Sequence, residues 1–82
     1  MTVKPLREDL TSYLKRHNLQ KKFDKQVRFL ESDPRYPSLN TEMLEPKSLK
    51  LYSFRIDRKY RAIFAIANSG EIEVVDINDH YQ

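Results

Sequence analysis

The chain of 82 residues has no cysteine and only one glycine. Without thiols it forms no disulfide and offers no thiolate to a metal, which fits a reducing compartment. A single glycine excludes a glycine-rich loop that cradles phosphate, and no serine elbow or metal-ligand cluster takes its place. No metal and no cofactor are expected. No apolar stretch approaches the ~20 residues of a membrane span, and "MTVKPLREDL" lacks the apolar core of a signal peptide. A soluble, cytoplasmic protein with no membrane partner is the expectation. Lysine and arginine are missing from residues 62–82, which hold four acids. Residues 1–32 carry eight Lys/Arg against four Asp/Glu, and residues 33–61 carry seven against four. The net charge of +3 therefore hides a basic body and an acidic final hairpin. Such a body can meet nucleic acid with one surface, or it can be an ordinary solvated mixture of charges.

What is present is one small domain, residues 1–82, that removes only roughly 60–65% of its unfolded surface from water. "KPLREDLTSYLKRHN" reads as a helix, with Pro5 at its first position, Glu8 and Asp9 in its first turn and Lys15, Arg16 and His17 in its last. Leu6, Leu10, Tyr13 and Leu14 form one apolar stripe, and Asn18 suits a left-handed cap. "LQKKFDKQVRFLES" repeats the pattern with Leu19, Phe23, Val27 and Leu30, and Pro34 and Pro37 forbid its continuation. The two make a helical hairpin.

From Leu49 the period changes to two. "LKLYSFRI", "YRAIFAIA" and "EIEVVDI" read as strands joined by turns at 57–59 and 68–70, the second holding Gly70. In that register Tyr52, Phe54, Ile56, Tyr60, Ala62, Phe64, Ile66, Ile72 and Val74 share the face that receives the helices. Ser53, Arg55, Arg61, Ile63, Glu73, Val75 and Ile77 share the other, with Arg61 opposite Ile77. The expected fold is α+β: an N-terminal helical hairpin on one face of a small twisted antiparallel sheet. The sheet is a three-strand meander, with room for a short extra strand only at Met1–Lys4. Residues 33–48 read as a long irregular loop, a usual place for function.

The chain ends in "DINDHYQ". Imidazole exchanges protons near neutrality, so His80 at the end of the last strand is either a solvated terminal residue or an acid–base group. His17, at a helix C-terminus, reads as structural. Arg61 either forms a surface ion pair with Glu73 or Asp76 or holds a phosphate, and Tyr81 either stacks on a base or caps the sheet edge. A base, an acid and a fixed cation are what metal-free RNA cleavage needs.

At "PSLNTEMLEP…LYSFRIDRKYRAIF…DINDHY" the chain resembles the RelE/ParE superfamily of bacterial type II toxins, and its YoeB-like branch most closely. The resemblance runs from about Lys21 to Tyr81. It implies two helices packed on a twisted antiparallel sheet, usually preceded by a strand, and endoribonuclease action on mRNA in the ribosomal A site. It also implies a cognate antitoxin that wraps the toxin. By position, Glu42 takes the place of the family's glutamate base and Arg61 that of its phosphate-binding arginine. His80 and Tyr81 take the places of its terminal pair, and Glu45 is a rival for the base. Lys47, Lys50, Arg55, Arg58 and Lys59 are candidate RNA-contacting cations by charge and location. An uncovered sheet edge would suit the antitoxin or a homodimer mate. Two other readings remain open: a ParE-like toxin that poisons gyrase without chemistry of its own, and a non-toxic member that binds only antitoxin or DNA.

Overall fold

The computed structural model describes residues 1–80. Two helices, α1 (Glu8–Arg16) and α2 (Gln20–Ser32), precede four antiparallel strands in the order β1-β2-β3-β4. These are β1 (Glu42–Met43), β2 (Tyr52–Arg55), β3 (Arg61–Ile66) and β4 (Ile72–Asn78). Short 3-10 turns at Pro37–Leu39 and Lys47–Leu49 flank β1. The helical hairpin on an antiparallel sheet is the expected α+β architecture.

The helices pack as their stripes require. Leu10, Leu14, Leu19, Phe23 and Leu30 are buried against Phe54, Ala62, Phe64, Ile72 and Val74. Asn18 takes the left-handed conformation at φ 56°, closing α1 and turning the chain into α2. The helix starts at Glu8, later than Pro5, because the preceding residues stay extended to pair with the sheet. The Lys4 amide donates to the Ile72 carbonyl, and the Ile72 amide donates to the Thr2 carbonyl, each at 2.8 Å. The N-terminal strand is thus one parallel bridge, Val3 to Ile72. Glu31 holds it from the other side, its Oε2 accepting the Val3 amide at 2.9 Å.

β2 and β3 pair as expected, Phe54 opposite Ala62 and Arg55 opposite Arg61. β3 and β4 depart from the expected register. Phe64 faces Val74 but Ile63 faces Asp76, so the ladder shifts between Ile63 and Phe64 and Val75 is the extra residue. Such a bulge inverts the alternation beyond it. Ile77 therefore lies opposite Ala62 in the core at 2% exposure, and Arg61 lies opposite Asn78, not Ile77. The cause is apolar spacing: Ile72, Val74 and Ile77 cannot all face the helices in an unbroken two-residue repeat. The Asp76 carboxylate accepts the Ile77 amide at 2.8 Å at this point.

The 33–48 stretch is also more ordered than a loop. Leu39 is fully buried and anchors it, and Glu42 and Met43 form an edge strand on β2. Gln26, the buried polar residue of α2, ties the pieces together. Its amide nitrogen donates to the Ser38 and Arg55 carbonyls at 3.0 and 2.7 Å, and its oxygen accepts from the Ser38 hydroxyl at 3.2 Å. Among the described residues no helix is long and apolar enough to cross a membrane.

Candidate functional site

The sheet face turned away from the helices carries Glu42, Ser53, Arg55, Arg61, Ile63, Asp76 and Asn78, as pairing and alternation require. Arg61 is its centre. The residue is only 4% exposed, although it opens a strand at the end of a turn. Its Nε donates to the Ser53 hydroxyl at 2.9 Å. Its Nη2 donates to the Asn40 carbonyl at 2.6 Å and to the Ser53 carbonyl at 3.4 Å. The surface ion pair with Glu73 or Asp76 does not form; neutral oxygens hold the cation instead.

Burial lowers the Arg61 pKa from its ordinary value, Glu42 opposes that shift, and Arg55 adds to it. A guanidinium titrates so high that it remains charged at neutral pH. Glu42 is thus the acid whose field Arg61 feels. Glu45 is exposed in the connection after β1. At ideal sheet spacing the Cα atoms of Glu42 and Arg61 stand about 12 Å apart, two strands and two residues away, within reach of two long side chains turned toward each other.

Arg55 is the direct cross-strand neighbour of Arg61. Like charges placed opposite each other destabilise a sheet unless something neutralises them. Among the described residues no carboxylate forms an ion pair with either arginine. The arrangement suits an anion.

The other candidates are distributed around this centre. Arg58 and Lys59 occupy the β2–β3 turn, which the Asp57 carboxylate caps by accepting the Lys59 and Tyr60 amides at 2.8 Å each. Burial pushes the Asp57 carboxyl up, but those two amides and the Lys22 ammonium outweigh it and hold it below the ordinary carboxylate range. Lys59 reaches Asp79 at 3.9 Å, which brings the turn beside the end of β4. His80 follows there, its amide donating to the Asn78 side chain at 3.0 Å and its imidazole exposed, 3.9 Å from Asp79. Lys47 and Lys50 lie in the β1–β2 connection, before the Tyr52 end of β2, whereas Arg61 pairs with its Arg55 end. They are not brought to Arg61. Tyr81 lies outside the described residues. Glu42 lies on β1 and His80 follows β4, so the two belong to opposite edges of the sheet, with Arg61 on β3 between them.

His17 has a structural contact, its Nδ1 lying 3.2 Å from the Tyr60 hydroxyl and its ring 4.2 Å from that of Tyr13. Sequence reasoning missed Ser53, Asn40 and Gln26. Ser53 was visible only as a small polar residue alternating with Arg55, and nothing in the sequence announced its burial.

The fold defined by this hairpin and four-strand sheet is that of the bacterial YoeB/ParE toxins. A YoeB/ParE toxin from Agrobacterium tumefaciens superposes with a TM-score of 0.72 at 23% identity, covering 99% of this chain and 100% of that one. The YoeB–YefM complex from Staphylococcus aureus gives 0.70 at 19% identity, covering 98% and 94%. The YoeB dimer from the same organism gives 0.65 at 20%, with the same coverages. No protein-family model and no curated protein matches the sequence.

Proposed function

We propose that this chain is the toxin of a type II toxin–antitoxin pair and a metal-independent endoribonuclease that cleaves mRNA on the ribosome. The observation that carries the reading is the buried Arg61 facing Arg55, with no ion-paired carboxylate among the described residues, on a strand between β1, which holds Glu42, and β4, which His80 follows. A phosphodiester over Arg61 has its negative charge stabilised by a cation whose orientation costs nothing at the moment of reaction. Glu42 takes the proton from the ribose 2′-OH, and the 2′-oxygen attacks phosphorus. The bond from phosphorus to the 5′-oxygen breaks, and His80 delivers a proton to that leaving oxygen. The products are a 2′,3′-cyclic phosphate and a 5′-hydroxyl. In-line displacement needs the base and the acid on opposite sides of phosphorus, and Glu42 on β1 and His80 after β4 come from the two strands at opposite edges of the sheet, with Arg61 on β3 between them.

Each acid–base contribution is typically ~10²–10⁴-fold. Tyr81 joins the set through the sequence resemblance, as a second group at the leaving-group side. Arg55, Arg58 and Lys59 hold flanking phosphates, positioning the strand without reading its sequence. The reading brings with it a cognate antitoxin, cytoplasmic mRNA and ribosomes as partners. A second copy is a further partner, on the model of the S. aureus YoeB dimer and YoeB–YefM complexes.

The test is cleavage-site mapping on one mRNA, with and without translating ribosomes, using wild-type protein and folded His80→Ala and Arg61→Lys variants. Cuts confined to the translated reaction and lost in both variants are expected. No cuts from folded wild-type protein in either reaction would reject the nuclease and direct attention to gyrase.

A further inference from the structure

We propose that Ser53 and the main-chain carbonyl of Asn40 form a clamp that positions Arg61, leaving Nη1 as the end that meets a phosphate. The inference rests on the nuclease reading above and adds a positioning residue to it.

A guanidinium carries five N–H groups, one on Nε and two on each terminal nitrogen. Ser53 Oγ takes the Nε proton at 2.9 Å, and the carbonyls of Asn40 and Ser53 lie 2.6 and 3.4 Å from Nη2. Those three acceptors occupy the Nε and Nη2 protons. Nη1 has no hydrogen-bond partner among the described residues. Yet no buried side-chain nitrogen or oxygen among them is left without a partner, so Nη1 is not sealed into the core with them. The usual two-pronged grip of arginine on an oxyanion is therefore closed on one prong. The ligand is met by Nη1 alone.

The clamp is built from residues with no other evident task. Ser53 is fully buried in the middle of a β2 otherwise made of larger side chains, and its hydroxyl faces the arginine. Asn40 sits in the left-handed region at φ 46°, ψ 50°, at the end of the Pro37–Leu39 turn. Asparagine tolerates that conformation far better than a β-branched residue does. Gln26 fixes the same turn through Ser38. A long side chain with several rotatable bonds is thus immobilised before substrate arrives, which removes an ordering cost from binding and reaction.

The experiment reads the Arg61 Nε–H signal in nitrogen-15-labelled full-length protein and compares wild type with Ser53→Ala and Ser53→Thr. The clamp predicts a wild-type Hε that exchanges slowly with water, at least tenfold faster exchange in Ser53→Ala, and a slow rate restored in Ser53→Thr. Added inorganic phosphate is expected to shift the Nη1 protons and to leave the Nη2 protons in place. In the translated-mRNA assay, Ser53→Ala is expected to lower kcat roughly ten- to hundredfold with KM little changed, as for a misoriented catalytic group. Ser53→Thr is expected to keep most of the activity.

Unchanged exchange in folded Ser53→Ala would overturn the clamp, and movement of the Nη2 protons with phosphate would overturn the Nη1 assignment. Faster exchange with undiminished cleavage, while Arg61→Lys is inactive, would remove the positioning role and leave the nuclease reading standing. Full cleavage by Arg61→Lys would reject Arg61 as the phosphate group and the positioning role with it. The exchange measurement would still decide whether the clamp exists.

Discussion

Replacing Gln26 with methionine keeps the length and helix propensity of the side chain and removes its hydrogen bonds. Three are lost: two donated by the amide nitrogen, to Ser38 and Arg55 carbonyls, and one accepted from the Ser38 hydroxyl. A typical intramolecular hydrogen bond contributes a net ~1 kcal/mol, and more where a partner is left buried and unpaired. Ser38 and Arg55 are exposed residues, so water can reclaim part of their polar groups and the upper end is not expected. The loss should be roughly 2–3 kcal/mol. For a domain of this length total stability is about 4–12 kcal/mol, so the change is a large fraction of it. In thermal unfolding it corresponds to a fall of roughly 10–20 °C. Urea titration should show a lower midpoint with an unchanged slope, since the surface exposed on unfolding is nearly the same. A loss below about 0.5 kcal/mol would refute the reasoning, because the hydrogen-bond net contribution would then be absent where the geometry is best. The perturbation also reaches the site: the freed Pro37–Leu39 turn should loosen the Asn40 carbonyl and quicken Arg61 Hε exchange.

The β4 bulge predicts that Ile77→Ala costs about 2–4 kcal/mol by opening a core cavity. Asp76→Ala on the outer face should cost roughly 1 kcal/mol for its lost hydrogen bonds; equal losses by urea unfolding would contradict the register. Gly70 holds φ +87° in the β3–β4 turn with open space where a Cβ would stand. Gly70→Ala should therefore cost only the left-handed strain, ~1–2 kcal/mol, with no change in the β3–β4 ladder by hydrogen exchange. Asp57 has a folded-state pKa below its ordinary value of 3.8, so it binds its proton more weakly folded than unfolded. Its contribution is complete above about pH 4–5 and is lost as pH falls through the depressed value. The stability difference between wild type and Asp57→Asn, measured by urea unfolding from pH 7 to pH 2, should shrink over that acid window. A constant difference would rule out the carboxylate as its source.

Much of this fold was legible in the residues themselves. The two apolar stripes, the prolines after Ser32 and the left-handed Asn18 define the helical hairpin, because helix periodicity and capping are local. The β2–β3 register follows from a three-residue turn and the requirement that Phe54, Ala62 and Phe64 share a face. Glu42, Arg61, His80 and Tyr81 came from the ordered motif and not from spacing; Glu42 and Arg61 stand on β1 and β3, and His80 follows β4. The Val75 bulge was not legible, since an alternating run reads equally well until the helices demand that Ile77 turn inward. Nor was β1, because two residues carry no period and Glu42–Met43 becomes a strand only when Leu39 anchors the chain beside β2. The delayed start of α1 had the same kind of cause, a pairing partner 68 residues beyond Lys4 at Ile72.

The sequence alone determined the apolar faces of the helices and of β2 and β3, and the charge asymmetry, since these depend on composition and near-neighbour spacing. Tertiary structure alone decided that Arg61 is buried, that Ser53 and the Asn40 carbonyl hold it, and that among the described residues no carboxylate pairs with it or with Arg55. Hydrogen bonds between residues eight and twenty-one positions apart depend on which strands meet and in what register. No local preference encodes that choice; the packing of the whole core does.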